Sequence, residues 1–271
     1  LLVVVAGPSL MASTSEPRHQ PITLALWGTF VPAGIALAGL LVASVANGAG
    51  WRSLFAVDAA VLALALLVAL AAVPDIRASQ SGSSTIPLQR LGPSIRLSIA
   101  FFCFALLFLA LAGLLPAYLV GHPGLTAAEA GRIVAVATAF GIAGSLLAAW
   151  MMPRGVSPGR LTAAGLMAST TIAAFAFSAA APLPLAVAGF TLSFALGGLV
   201  PAATFASVPR LAADASAIGP INGLVAQAGS LGSLAGPPLL ALWVGWAGWS
   251  LAPVLLLAIA AIGAASALAI A

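Results

Sequence analysis

Long apolar stretches separated by short polar breaks run through the whole sequence and predict helices that cross a membrane. A helix needs about 20 apolar residues to cross roughly 30 Å of hydrocarbon. Eight stretches reach that length, and residues 1–12 form a shorter apolar run that predicts the end of a further helix. The eight predicted spans are residues 22–46, 53–73, 95–120, 128–152, 160–180, 183–207, 217–241 and 248–271. We therefore predict an all-α, polytopic membrane bundle with about eight full transmembrane helices plus one partial helix.

The composition supports this prediction and excludes a soluble protein. Hydrophobic residues make up 62% of the chain and charged residues only 5%, too few charges to cover the surface of a soluble domain. Strands of a membrane β-barrel would alternate polar and apolar residues over about ten positions, which these continuous runs do not. Cys103, the one cysteine, lies inside an apolar run and gives no disulfide framework. The lipid bilayer is therefore the first predicted partner.

Arginines in the breaks predict the orientation of the bundle. The chain has nine arginines and no lysine. Alternate breaks place Arg52 and Arg132 on one side and the other seven on the opposite side, namely Arg18, Arg77, Arg90, Arg96, Arg154, Arg160 and Arg210. Because cytoplasmic loops carry an excess of basic residues, the arginine-rich side should face the cytoplasm. We expect an integral protein of a bacterial cytoplasmic (inner) membrane with a cytoplasmic C-terminus, and no nucleic-acid partner, since no basic cluster stands beside a soluble domain.

The longest polar stretch, residues 74–94, predicts a linker between two halves. It carries charged residues near both ends around a run of serine and glycine at 79–85, which is typical of a flexible connection. The predicted division is therefore a partial N-terminal helical bundle at 1–73, a cytoplasmic linker at 74–94 and a C-terminal bundle of six helices at 95–271.

A repeated sequence on either side of the linker predicts an internal duplication. The sequence Gly50-Trp51-Arg52-Ser53-Leu54 returns as Gly248-Trp249-Ser250-Leu251, with the arginine dropped, and each copy joins two predicted spans. Repeats of this kind indicate duplicated structural units. Six spans follow the linker and the repeat joins the last two, so an equivalent first half should also have six. We therefore expect about three and a half helices of the first half to precede residue 1.

Four short motifs resemble the major facilitator superfamily of secondary transporters. Residues 28–39 resemble its Gly/Pro-rich fifth-helix motif, and residues 50–55 resemble the Gly-Trp-Arg sequence that opens the sixth helix. Residues 125–131 are similar to the start of its eighth helix. Residues 153–160 stand where the family carries a basic loop signature, without its acidic residue. The resemblance implies two six-helix halves that rock around a central solute site, in a protein that works as a monomer and needs no cofactor.

Ionisable residues in the predicted spans are the first candidates for substrate or coupling sites, because charges inside a membrane are costly. Arg132 lies one turn into its span and Glu129 three residues before it, so the two side chains can pair. Arg132 would attract an anionic substrate or gate the outer face; the alternative is an arginine that extends to the membrane surface. Asp58 is a candidate proton carrier, with an interfacial carboxylate as the alternative.

Four uncharged residues complete the substrate candidates. Asn222 and Gln227 lie five residues apart on one predicted span, and either side chain can hydrogen-bond a substrate or a neighbouring helix. Tyr118 and Trp27 are candidates for a cavity wall, although both residue types also populate membrane interfaces. Most of the neighbouring phenylalanines are interpreted as lipid or core contacts: Phe101, Phe102, Phe104 and Phe108.

Small residues and prolines are candidates for conformational change and helix packing. Small side chains let helix backbones approach and slide, and prolines bend helices; static packing is the alternative. These candidates are Gly28, Pro32, Gly34, Gly39, Pro201, Gly232, Gly236 and Pro237. Arg154 and Arg160 are the candidate residues of a cytoplasmic loop, and no metal-ligand set is predicted.

The predicted function is a secondary membrane transporter that moves a small organic solute by alternating access, coupled to protons, with efflux as one direction considered. An enzyme is disfavoured because His19 and His122 lie in breaks and no paired carboxylates share a span. A channel is disfavoured because the sequence has no filter-like stretch or charged ring. A facilitator and a non-transporting sensor on the same fold stay open as alternatives.

Overall fold

The computed structural model describes residues 7–8, 10–11, 14–16, 19–72, 86, 88–121, 125–177, 181–212 and 215–270. These residues are almost entirely helical and contain no strand, so the predicted all-α class is confirmed. The continuous helices are α1 (Gln20–Trp27), α2 (Phe30–Ala49), α3 (Trp51–Ala72), α4 (Leu88–Val120), α5 (Ala127–Ala139), α6 (Gly141–Met151), α7 (Pro158–Ala176), α8 (Leu183–Gly197), α9 (Leu199–Leu211), α10 (Ala215–Ala247) and α11 (Ala252–Leu268). Short 3₁₀ turns, Met152–Arg154 and Trp249–Leu251, follow α6 and precede α11.

Within the described ranges, five helical segments are both long and apolar enough to cross a membrane. They are Arg52–Ala71, Leu88–Val120, Ala127–Arg154, Leu183–Leu211 and Trp249–Leu268. The sequence predicts eight spans, and helices also occupy the other three. In the first of these three, α2 has a shorter apolar stretch, Phe30–Leu41. In the other two, α7 and α10, small and polar residues such as glycine, serine and threonine interrupt the apolar sequence. The polytopic bundle thus combines strongly apolar helices with helices rich in small residues.

Three of the predicted spans are each built from two helices, namely α1–α2, α5–α6 and α8–α9. The breaks fall at Gly28, Phe140 and Gly198. Proline has no amide hydrogen, so the carbonyl four residues before a proline loses its helical partner. Pro32 and Pro201 lie one turn after the first and third breaks, which explains why those spans bend there.

The predicted linker is shorter on its C-terminal side than its composition indicates. Residues 73–85 and 87 lie outside the described residues, but α4 already begins at Leu88, within the stretch predicted as linker. Arg96 donates from Nη1 to the carbonyl oxygen of Ala269 at 3.2 Å, so the first turns of α4 contact the end of α11. The helix therefore includes residues 88–94, a segment whose composition is loop-like.

Gly50 and Gly248, which open the two copies of the repeated sequence, have the same backbone conformation. Their dihedral angles are φ 76°, ψ 168° and φ 76°, ψ 169°. Glycine adopts positive φ without the steric cost that a Cβ atom brings, so each glycine permits the sharp turn between two helices. In both copies the glycine carbonyl accepts a hydrogen bond from the amide three residues later, at Ser53 (3.2 Å) and Leu251 (3.3 Å). The two copies therefore fold alike locally, as the predicted duplication requires.

Two core clusters identify the two ends of the bundle. One joins Leu24 of α1 to Leu97 near the start of α4 and Val208 near the end of α9; we name this the linker end. The other reaches Leu119 at the end of α4 and Ala252 at the start of α11; we name this the far end. Of the arginines predicted to share one side, Arg96 and Arg210 lie at the linker end, on α4 and α9 respectively.

The predicted halves meet along α1 and α2. Helix α2 contacts α5, and α1 contacts α6 and α9, whereas α3 contacts mainly α2. Within the second half, α4 and α10 form the most extensive helix pair. A methyl group on Gly232 or Gly236 of α10 would overlap the main-chain oxygens of Phe102 and Leu106 of α4. Small residues therefore determine how closely α4 and α10 approach.

Candidate functional site

A cavity of about 380 Å³ lies between the two predicted halves. Its volume falls within the range of about 300–1,000 Å³ that is usual for small-molecule sites. Helix α2 contributes from the first half, and α4, α9 and α10 from the second. The cavity is lined by Phe30, Val31, Phe101, Phe104, Ala105, Phe108, Leu109, Phe205, Ala226, Gly229, Ser230 and Ser233.

Phenyl rings form the largest part of the cavity wall. Phe101, Phe104 and Phe108 fall on one face of α4, because positions three, four and seven apart share a helix face. The ring centroids of Phe101 and Phe104 are 5.8 Å apart, and those of Phe104 and Phe108 are 5.5 Å apart. Phe205 meets Phe101 edge to face at 5.3 Å, and Phe30 adds a ring from α2. These separations are in the favourable range for aromatic pairs, so the rings form one continuous surface.

Two serines supply the polar side chains of the wall. Ser230 and Ser233 lie three residues apart on α10 and so share a face. Ser230 Oγ donates to the carbonyl oxygen of Ala226 at 2.9 Å, whereas no hydrogen bond among the described residues uses Ser233. Gly229 has no side chain, and a Cβ atom there would lie 2.5 Å from the Phe101 ring, so the ring packs directly on the α10 backbone. The described wall contains no ionisable residue.

The three helix breaks meet in what we name the break junction, formed by Pro32, Gly141 and Gly198. The Pro32 ring lies 3.2 Å from the position that a Cβ atom on Gly141 would take. A methyl group on Gly198 would overlap the Gly141 carbonyl oxygen, so the two backbones are in direct contact. Ser145 Oγ, fully buried, donates to the Gly198 carbonyl oxygen at 2.9 Å. This bond satisfies a carbonyl next to a break in the helical hydrogen-bond pattern.

Phe194 connects the break junction to the cavity wall. Its ring meets the ring of Phe108 edge to face at a centroid distance of 5.4 Å. Its carbonyl oxygen lies 3.4 Å from the Cβ position of Gly141. Phe194 of α8 therefore contacts both the break junction and a side chain that lines the cavity.

The predicted polar substrate candidates lie outside the cavity wall. Asn222 is fully buried in α10 toward the linker end, and Gln227 is exposed, so the two do not share a face. Trp27 lies behind the wall, with its ring centroid 5.1 Å from that of Phe30. Its indole Nε1 is buried and donates to none of the described residues.

Tyr118 belongs to an aromatic cluster at the far end of the second half. Its ring meets Phe177 at 4.9 Å, Trp249 at 5.2 Å and Phe190 at 5.9 Å, each edge to face. Trp249 in turn stacks on Phe177 at 5.7 Å. The cluster ties α4 to α8 and to the turns that follow α7 and precede α11, so these ring contacts of Tyr118 lie within one half.

The three ionisable candidates are exposed. Glu129 Oε2 accepts hydrogen bonds from the Thr126 amide at 2.9 Å and from the Thr126 hydroxyl at 2.7 Å, while Thr126 Oγ1 accepts from the Glu129 amide. This capping box starts α5, and Arg132, three residues later, also attracts the Glu129 carboxylate electrostatically. Asp58 lies on α3, whose most apolar segment is entirely unburied. Within the described ranges, no group of three His, Cys, Asp or Glu residues could hold a metal ion.

The predicted packing residues occupy three kinds of position. Gly28, Pro32 and Pro201 lie at helix breaks, Gly232 and Gly236 at the contact of α4 with α10, and Gly39 at the contact of α2 with Ala135 of α5. Pro237 lies 3.8 Å from the Cβ position of Gly113, and Gly34 is exposed with no neighbour within 4 Å. Most of these residues thus lie where two backbones approach closely or where a helix is interrupted.

The loop arginines have local partners. Arg154 donates from Nη1 to the carbonyl oxygen of Trp150 at 2.6 Å, and its guanidinium lies 3.8 Å from the centre of the Trp150 ring. Arg160 is exposed in the first turn of α7, where its amide donates to the side chain of Ser157. This stacking holds Arg154 against α6.

The phenylalanine surface has no counterpart among the predicted substrate residues, and of the break junction only Pro32 is among the sequence candidates. The spacing of Phe101, Phe104 and Phe108 indicates one helix face, but whether that face meets lipid, core or cavity depends on tertiary packing. The sequence predicts lipid or core contacts for these rings, whereas in the structure they line a cavity. Gly141 and Gly198 carried no local signal that separates them from the other glycines of the chain, which number 28 in all.

Comparison with known proteins relates the chain to one family and one fold. A sequence model of the Major Facilitator Superfamily matches residues 2–219. None of the curated proteins matches the chain in a sequence search. Two solved structures of FucP share the fold at 18% identity: a variant of the E. coli fucose:proton symporter (97% of this chain, 72% of that chain, TM-score 0.70) and FucP in the outward conformation (96%, 71%, 0.69). At this identity the likeness concerns the fold alone.

Proposed function

Because the chain belongs to the Major Facilitator Superfamily, we propose that it acts as a secondary transporter that moves a small organic solute across a membrane by alternating access. The observation that carries this proposal is the cavity of about 380 Å³ with walls from both predicted halves. A site between two helical halves that rock against each other is the arrangement that alternating access requires. The likeness in fold to a fucose:proton symporter agrees with it.

Contacts between the halves on either side of the cavity are the proposed gates. Gly39 of α2 packs against Ala135 of α5, on the side of the far end. Leu24 of α1 packs with Phe205 and Val208 of α9 at the linker end. Alternating access needs one of these contacts to loosen while the other holds, and the interrupted helices provide places where the bundle can bend.

Paired spin labels test this alternation directly. Cys103 is the one cysteine and is replaced first, after which labels on exposed residues report each side: Leu41 with Val136 across α2 and α5, and Ile22 with Arg210 across α1 and α9. On changing pH, or on adding solutes from a panel, we expect one distance to lengthen as the other shortens. Distances that stay fixed, or that lengthen together, would contradict alternating access.

We further propose that protons drive the flux and that Asp58 carries the proton. An ionisable residue in so apolar a helix as α3 is energetically costly, and such residues in membrane helices commonly serve a function. In vesicles with a pH-sensitive dye inside, an imposed pH gradient should drive solute movement, and Asp58→Asn should abolish the effect. Flux that follows only the solute's own gradient would leave a facilitator, the second candidate.

A further inference from the structure

The cavity wall bears directly on the charge of the solute. Of the described residues that line it, only Ser230 and Ser233 have polar side chains, and none is ionisable. An ion that leaves water for such a site loses its hydration without gaining a charged partner, which is strongly unfavourable. The described wall therefore favours an uncharged solute.

The same wall is a poor match for a sugar. Each hydroxyl of a buried sugar needs a hydrogen-bond partner, and an unpaired one costs much of the binding free energy. The side chains of the wall offer two hydroxyls, and the proton of Ser230 is already donated to Ala226. Among the described side chains of the wall, Ser233 has both its donor and its acceptor capacity available and Ser230 can only accept, so most hydroxyls of a sugar would stay unpaired there.

The ring arrangement favours a flat aromatic solute. Phe101, Phe104 and Phe108 present a row of rings along α4, while Phe205 and Phe30 add rings from α9 and α2. Aromatic molecules gain from edge-to-face and offset contacts with such rings beyond the burial of area. The volume of about 380 Å³ equals that of about thirteen water molecules in the liquid, enough for two or three fused rings.

From this wall we infer that the solute is an uncharged aromatic molecule of two or three fused rings with one hydrogen-bonding group that meets Ser233. The inference rests on the proposed function and names its substrate class. The phenyl rings provide affinity, and the lack of a charged partner among the described wall residues provides discrimination against ionised analogues.

Four probes test the inference by binding, which is measured separately from transport. Naphthalen-2-ylmethanol, naphthalen-2-ylmethylammonium and 2-naphthoate share one ring system and differ in charge, and fucose represents a sugar. Equilibrium dialysis uses the protein in lipid nanodiscs, with empty nanodiscs as the blank for partition into lipid. We expect the alcohol to bind at least tenfold more tightly than either ion, and fucose not to bind measurably. Equal or tighter binding of an ion or of fucose would overturn the inference.

Variants of the wall distinguish the cavity from the lipid-facing surface. Phe104→Leu keeps an apolar side chain but removes a ring, and should weaken binding of the alcohol by about threefold to tenfold. Phe175→Leu, at a ring on α7 that is 74% exposed, should leave binding unchanged. Equal effects of the two variants, or no effect of either, would show that the probe does not bind at this wall.

A gain-of-function variant provides a readout that loss of folding cannot mimic. Ser233→Asp places a carboxylate in the wall, and the ammonium probe should then bind more tightly than the alcohol. An unchanged order of affinities in a protein that still binds the alcohol would overturn the assignment of Ser233.

If the affinity order of the four probes holds but the label distances do not alternate, the proposed function fails and the ligand class stands. If the distances respond to fucose and the naphthyl alcohol does not bind, the ligand class fails and transport stands.

Discussion

Gly39 offers the sharpest test of how the two halves meet. A Cβ atom on Gly39 would lie 2.6 Å from the Cβ atom of Ala135, whereas carbon atoms in contact are about 3.5–4.0 Å apart. Gly39→Ala therefore requires α2 and α5 to separate by about 1 Å, because a packed interior has no free space to absorb a methyl group. Overpacking of this kind costs about 1–3 kcal/mol.

That cost falls on the state in which this contact is closed. If the contact opens during alternation, as we propose, the open state escapes the clash. The ratio of open to closed molecules should then rise by about 5- to 150-fold, the factor that corresponds to 1–3 kcal/mol. The distance between labels at Leu41 and Val136 should shift to longer values in Gly39→Ala without any added solute.

Gly34→Ala is the matched control. Gly34 lies on the same helix, is exposed and has no atom within 4 Å of its Cβ position. Both changes bring the same gain in helix propensity, about 1 kcal/mol at most. The difference between the variants therefore isolates the contact with Ala135. Identical distance distributions in the two variants, measured by double electron–electron resonance, would refute the idea that this contact closes one side of the cavity.

Two further predictions concern the stability of the second half. Ser145→Ala removes a buried hydrogen bond at the break junction and should lower the free energy of unfolding by about 0.5–1.5 kcal/mol. Ser266→Ala removes an exposed hydrogen bond within its own helix and should lower that free energy much less. Thermal unfolding in detergent compares the two variants, and equal effects would contradict a stabilising role for the junction. Gly236→Ala places a methyl group against the α4 backbone and should lower the free energy of unfolding by about 1–3 kcal/mol. Gly223→Ala, on the same helix but with open space around the new methyl group, should leave that free energy unchanged or raise it. A Gly236→Ala protein as stable as the parent would contradict the close contact of α4 with α10.

Features that depend on composition and short-range sequence are predictable from the chain alone. An apolar run of about 20 residues has no stable alternative to a helix in lipid, because every backbone polar group must be satisfied internally. The turn at Gly50 is predictable from the repeat, because the same Gly-Trp sequence joins two spans again at Gly248. In the structure the two glycines have nearly identical dihedral angles. Bends near Pro32 and Pro201 follow from the missing amide hydrogen.

Features that depend on which helix faces which are not predictable in this way. The spacing of Glu129 and Arg132 predicts an electrostatic attraction, which the folded chain has, but it does not predict the hydrogen bonds that Glu129 accepts from Thr126. Phe104 has the same local sequence whether its ring meets lipid or a cavity. The break at Phe140 has no proline to announce it, and the adjacent Gly141 and Ser145 contact Gly198, which lies more than fifty residues away in the chain.

The position of Phe194 suggests how solute and conformation could be linked in such a bundle. Its ring contacts Phe108 of the cavity wall, and its carbonyl oxygen packs on Gly141 at the break junction. A ligand shifts an equilibrium only by its difference in affinity between the two states. Suppose that a flat solute packs well on Phe108 when α8 and α9 meet at one angle and poorly when they meet at another. Its affinity would then differ between the two conformations. The aromatic wall would then act both as the binding surface and as the part of the site that distinguishes the two states.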